Sequence, residues 1–128
     1  MIFIQGNFPS FKNSKQFTGK FFIMSKTVQK YLKAYEYQWM APVNRGAFKG
    51  MVKDFGYPLE IGMHFVRGTR HKYDWINMCQ GVQDLMVKHH WIEDDNTEIM
   101  YPTPLKVNGT YSSYNKENPG VYIKVAES

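Results

Sequence analysis

The chain has 128 residues, of which 43% are hydrophobic and 16% aromatic, a net charge of +5 and one cysteine, Cys79. That length fits a single domain over 1–128, large enough to bury a core without metal or disulfide staples, and the composition excludes a disordered chain. A lone cysteine excludes an internal disulfide framework, and no stretch approaches the roughly 18 apolar residues of a membrane span.

Residues 2–5 form a short apolar run ended by Gly6, the pattern of a first strand. Residues 6–15 read as a loop rich in Gly, Asn, Pro and Ser, and 20–24 as a second strand, the return of an open hairpin. Ser25 is placed as an N-cap. After it Val28, Tyr31, Leu32, Tyr35 and Trp39 recur at three- and four-residue spacing, which predicts an amphipathic helix over 28–39 that Pro42 ends. Residues 45–58, with three glycines and a proline, read as irregular. Leu59, Ile61, Met63 and Phe65 alternate as on one face of a half-buried strand over 59–66. A second helix is expected over 74–90 from Trp75, Met78, Cys79, Val82, Leu85 and Met86. Asp94-Asp95-Asn96 reads as a turn, and 98–101 and 121–125 as closing strands. The order predicts an α+β domain, one mixed sheet packed against two helices.

Charge is divided unevenly along the chain. Residues 1–72 hold 12 Lys and Arg against three acids, a net of +9, whereas 73–128 hold four against eight, a net of −4. A basic half leading into an acidic segment suits a protein that grips a polyanion with cations and sets a metal against one phosphate. The plainer reading is surface lysine on an ordinary basic protein.

Two segments carry a family resemblance. One is Asn7-Phe8-Pro9-Ser10-Phe11-Lys12-Asn13-Ser14, directly after the first strand. The other runs from Asp74-Trp75-Ile76-Asn77 through Gln83-Asp84-Leu85-Met86-Val87-Lys88 to Trp91-Ile92-Glu93-Asp94-Asp95. Together they resemble the RusA-like family of phage and bacterial Holliday-junction resolvases, over most of residues 2–125. The family has a Pro-Ser loop after its first strand, then Asp-x-Asp-Asn opening a helix and a turn that ends in Asp-Asp.

The resemblance implies a homodimeric, cytoplasmic endonuclease that cuts branched DNA in recombination and repair, with Mg²⁺, or Mn²⁺ in its place, activating water. It implies Asp74 and Asp95 as catalytic metal ligands. The family's middle acid is here Ile76 and its assisting lysine is Gln80, so one of three acidic ligands is missing. Asn77, one turn from Asp74, and Asp94, beside Asp95, are the candidate substitutes. If a neighbour has taken over the missing ligand, Ile76 becomes a core side chain. The DNA contacts are expected from Lys12, Lys15, Arg67, Arg70, Lys72 and Phe11, the last as a stacking wedge or as an anchor of its loop.

Plainer roles stand beside these. Asp74 is also a good N-cap, 94–96 a good solvated turn, Asp84 with Lys88 a helix-surface pair, and Cys79 a core side chain. His89 and His90 are adjacent on a helix, about 100° apart, and fit one ion poorly. Two functional readings therefore remain open: a Mg²⁺-dependent junction endonuclease, and a junction-binding protein that does not cut.

Overall fold

A computed structural model describes residues 1–11, 15–17 and 22–125. In chain order these form β1 (Ile2–Gln5), β2 (Lys15–Phe17), β3 (Phe22–Met24), α1 (Lys26–Met40), α2 (Pro42–Val52), β4 (Leu59–Arg67), α3 (Trp75–Lys88), β5 (Met100–Pro104), β6 (Ser113–Tyr114) and β7 (Gly120–Val125). The fold is α+β: one mixed five-stranded sheet, a separate β2–β3 hairpin, and three helices. Among the described residues no helix is long and apolar enough to cross a membrane.

β4 is the axis of the sheet. On one side it pairs antiparallel with β7, which pairs antiparallel with β1. On the other side it pairs in parallel with β5 at its start and with β6 at its end. Leu59, Ile61, Met63 and Phe65 are all buried and join Ile2, Ile4, Val121, Ile123 and Val125 in the core, but β4 is not the half-buried strand expected, because Gly62, His64 and Val66 on its other face are buried too. α3 adds Met78, Val82, Leu85 and Met86 to that core, and α1 adds Tyr31 and Trp39.

The outer edge of β1 is closed by a side chain. Gln38 on α1 accepts from Gln5 N at 2.8 Å through Oε1 and donates to Gln5 O at 3.0 Å through Nε2, continuing the ladder where a neighbouring strand would stand. α1 starts as expected, with Ser25 Oγ accepting from Val28 N at 3.3 Å.

Two expectations are corrected. The described residues form three helices where two were expected, because Pro42 does not merely end α1: it occupies the first turn of α2, where its fixed φ and missing N–H suit a helix start. α2 lies across residues that read as irregular, and it is anchored by buried Phe48, whose ring lies 5.4 Å from that of Trp91. The connection between β5 and β7 also contains β6, two residues long.

Candidate nucleic-acid interface

The loop after β1 is seated by its own aromatics. Phe8 is buried and Phe11 half-buried, their rings stacked at 5.6 Å, and both occupy a notch that Gly81 leaves in α3. A Cβ at Gly81 would stand 2.6 Å from the Phe11 ring and 2.8 Å from that of Phe8. Arg67, at the end of β4, donates from Nη1 to Phe8 O at 2.6 Å, and Asn7 Oδ1 accepts from Gly68 N at 2.9 Å. The loop is thereby held beside the first turn of α3.

Between them lies a cleft of about 480 Å³ lined by Asn7, Pro9, Ser10, Thr27, Arg67, Thr69, His71, Lys72, Asp74 and Asn77 among others. The loop after β1 and the first turn of α3 thus line one cleft, whereas the Asp94-Asp95 turn does not reach it. Arg67 is half-buried, and burial lowers the pKa of its guanidinium, with the Tyr73 ring 4.9 Å away. Its Nε is, among the described residues, a buried side-chain nitrogen with no hydrogen-bond partner.

Two further clefts adjoin this one. A second, of about 390 Å³, is lined by Arg67, Arg70, His71, Tyr73, Ser113 and Tyr114 among others, with the Arg70 guanidinium 4.1 Å from the centre of the Tyr114 ring. A third, of about 630 Å³ and largely apolar, is lined by Tyr73, Asp74, Trp75, Ile76, Pro104, Tyr111 and Ser112. Tyr73 borders all three, its hydroxyl 2.7 Å from Ser112 Oγ.

The acids fall into two places. Asp74 is the N-cap of α3: its Oδ1 accepts from Ile76 N at 3.0 Å and Asn77 N at 3.3 Å, and the residue is exposed to the cleft it shares with Asn77. Asp94 and Asp95 follow the other end of α3. Asp94 is fully exposed, and hydrogen bonds from Asn96 and from the backbone of Asp95 hold its carboxyl below the usual carboxylate range.

A single-chain metal site joining Asp74 to Asp95 is therefore corrected. α3 has 14 residues, about 20 Å of rise. β5 is parallel to β4, so the chain must return along α3 to the start of β4 before β5 begins. The turn ends there: Asn96 O accepts from Met100 N at 3.1 Å, and Met100 pairs with Leu59. Of the four expected ligands, Asp74 and Asn77 stand together, and so do Asp94 and Asp95. Among the described residues no three of His, Cys, Asp and Glu are grouped to hold a metal ion.

The remaining site residues sort as follows. Arg67, Arg70 and Lys72, expected as DNA contacts, line the clefts. Lys12 and the side chain of Lys15 lie outside the described residues. Phe11 takes the anchor role, packed inward on Phe8 and Gly81 rather than presented as a wedge. Ile76 is not a core residue: it is 62% exposed. Cys79 is buried, and burial pushes its thiol pKa up. Lys88 pairs with Glu36 of α1 at 2.7 Å, and His89 Nε2 lies 2.8 Å from the same oxygen.

Sequence reasoning missed Tyr73, Tyr111, Ser112 and Tyr114 as cleft walls. The available signal was the aromatic pair flanking two serines in an otherwise polar connection. It also missed His64, buried in β4 with Nδ1 3.0 Å from Leu105 O and Nε2 2.8 Å from Ser113 Oγ, a link that seats the β5–β6 connection. No family model, no curated protein and no solved structure matches this chain.

Proposed function

We propose that the protein binds branched DNA in the manner of a RusA-like protein, with the phosphate backbone lying in the clefts bordered by Arg67, Arg70, His71 and Lys72. One observation carries this reading. The loop at Asn7–Ser10 and the segment from Arg67 to Asn77, distant in sequence, meet in a single cleft with Arg67 and Lys72 as its cations and Asp74 as its acid. Cations that converge on one concave surface release counterions when a phosphate chain enters, and that release is the main sequence-independent source of affinity for DNA.

A second reading is Mg²⁺-dependent cleavage of the junction by a homodimer. What favours it is that exposed Asp74 and half-buried Asn77 line the same cleft as Arg67 and Lys72. One carboxylate and one amide supply at most two of the six oxygen ligands of Mg²⁺, an ion usually held through one or two carboxylates with substrate phosphates and water completing its shell. In this reading Asp74 and Asn77, with the Asp94-Asp95 turn of a second copy, would hold the ion, which would supply polarisation of the phosphodiester and activation of water.

The test is a synthetic four-way junction titrated with protein over a range of NaCl, beside linear duplex of the same length. The reading expects tighter binding to the junction and a steep loss of affinity with salt. Arg70→Glu with Lys72→Glu should weaken binding far more than Lys116→Glu with Lys124→Glu. Equal losses, or affinity independent of salt, would overturn it. The same mixtures with Mg²⁺, Mn²⁺ or EDTA separate the two readings: symmetric metal-dependent nicks establish cleavage, and intact strands leave the binding protein.

A further inference from the structure

The apolar cleft beyond Tyr73 has no part in gripping phosphates, yet it is a built surface. Trp75 forms one wall, fixed by its Nε1 donating to Met63 O at 3.2 Å. Tyr73 forms the divider from the basic clefts, fixed by its hydroxyl on Ser112 Oγ. The rim is formed by two large apolar side chains left in water, Ile76 at 62% and Tyr111 at 56% exposure. A volume of about 630 Å³ falls within the roughly 300–1,000 Å³ of small-ligand sites.

Charge identifies the occupant. Lys106 Nζ lies 5.1 Å from the centre of the Tyr111 ring, and the Arg70 guanidinium 4.1 Å from that of Tyr114. An exposed aromatic with a cation beside it, one side chain away from a basic cleft, matches the two halves of a nucleotide: a flat apolar base and an anionic backbone.

We propose that the apolar cleft takes an unpaired nucleobase, stacked against Tyr111, from a strand whose phosphates lie in the basic clefts across Tyr73. The inference rests on the nucleic-acid reading above and adds to it a preference for DNA with unpaired bases at the branch. Stacking on an exposed aromatic is tolerant of base identity, so the preference is for the open strand and not for a sequence.

The experiment compares a fully paired duplex with the same duplex carrying a short unpaired tract that contains 2-aminopurine. Wild-type protein is expected to bind the second about tenfold more tightly and to quench its fluorescence, the size of effect one stacked base supplies. Tyr111→Ala should lose the tenfold and the quench while binding the paired duplex as before, and Tyr111→Phe should keep both. Tyr111 is exposed, and a melting curve for each variant checks that it folds. The inference is overturned if Tyr111→Ala binds and quenches the unpaired tract like wild type. It is also overturned if the protein is a dimer that Tyr111→Ala or Ile76→Ser dissociates, since the cleft is then an interface between copies. Wild type binding neither substrate overturns the nucleic-acid reading itself, a result distinct from both.

Discussion

Arg67 donates to the carbonyl of Phe8 at 2.6 Å and so ties the end of β4 to a loop 59 residues earlier in the chain. The guanidinium is half-buried with its Tyr73 neighbour over one face, so its first duty is to hold the loop that forms the cleft wall. Removing it orphans the Phe8 carbonyl and empties a packed position. Arg67→Ala is expected to lower stability by about 2 kcal/mol in urea unfolding, the range for a lost hydrogen bond to a charged group. Arg67→Lys should recover only part, since an ammonium lacks the planar fork. Arg70→Glu and Lys72→Glu, both exposed, should stay within about 0.5 kcal/mol of wild type. Equal destabilisation by all three would mean that Arg67 has no structural role.

Asp74 serves the helix whatever else it does, because its Oδ1 satisfies two of the first N–H groups of α3. Asn caps as well as Asp, whereas Ala cannot cap at all. Asp74→Asn should therefore keep wild-type stability and Asp74→Ala lose about 1 kcal/mol. Any metal-dependent nicking that vanishes in Asp74→Asn can then be read as chemistry rather than unfolding. A melt showing the two variants equally damaged would remove that separation.

Ile76 occupies the second position of α3 and points into water. An acid there costs no burial and meets the positive end of the helix dipole. Ile76→Asp should raise stability by about 0.3–1 kcal/mol and, by placing a second carboxylate beside Asp74, strengthen Mg²⁺ or Mn²⁺ binding in calorimetry. A loss of several kcal/mol on this change would mean that Ile76 is packed after all.

What the sequence conveyed and what it withheld follow from the range of the signals. Leu59, Ile61, Met63 and Phe65 announce a strand because alternation is local, and the Val28–Tyr31–Tyr35–Trp39 stripe announces α1 for the same reason. α2 is not legible, since Gly46 and Gly50 weaken its pattern and what secures it is Phe48 against Trp91, a contact made only in the folded chain. The candidate site divides the same way. Spacing brought Asp74 and Asn77 together correctly, one turn apart on one helix. It could not show that Asp95 lies beyond the far end of that helix, because strand direction in the sheet, not spacing, decides where β5 must start.

Glu36 joins α1 to the end of α3 through Lys88 and His89. Burial alone would raise its pKa, but the hydrogen bonds from Lys88 and His89 outweigh burial and hold the carboxyl below its usual range. A carboxyl whose folded pKa lies below its unfolded value, ~4.3, stabilises the fold fully above that value. The contribution is lost as pH falls through the folded pKa. Glu36→Gln should cost about 1 kcal/mol at neutral pH and make the remaining stability less sensitive to acid below about pH 4.5. Parallel stability curves for wild type and variant from pH 7 to pH 3 would show that the pair contributes nothing.

His90 is the residue that turns the chain out of α3, and it does so with φ 64, in the left-handed region. The hydrogen bonds around it are those of a Schellman cap: His90 N donates to Val87 O at 3.2 Å and Trp91 N to Met86 O at 2.8 Å. The cap directs Trp91 into the core, where its ring lies 5.4 Å from those of Trp39 and Phe48 and its Nε1 donates to Trp39 O at 2.8 Å. A left-handed conformation costs a residue with a Cβ about 1 kcal/mol, and glycine avoids it. Because His90 is exposed, His90→Gly gives up little packing, and the greater freedom of glycine in the unfolded chain offsets only part of the gain. The variant should be more stable by about 0.5–1 kcal/mol, a rise of roughly 3 °C in Tm. His89→Gly is the contrasting change: its φ is −103, so glycine relieves nothing there, and the bond to Glu36 is lost. That variant should be less stable than wild type. If both glycine variants melt below wild type, His90 is making a contact worth more than the strain it bears.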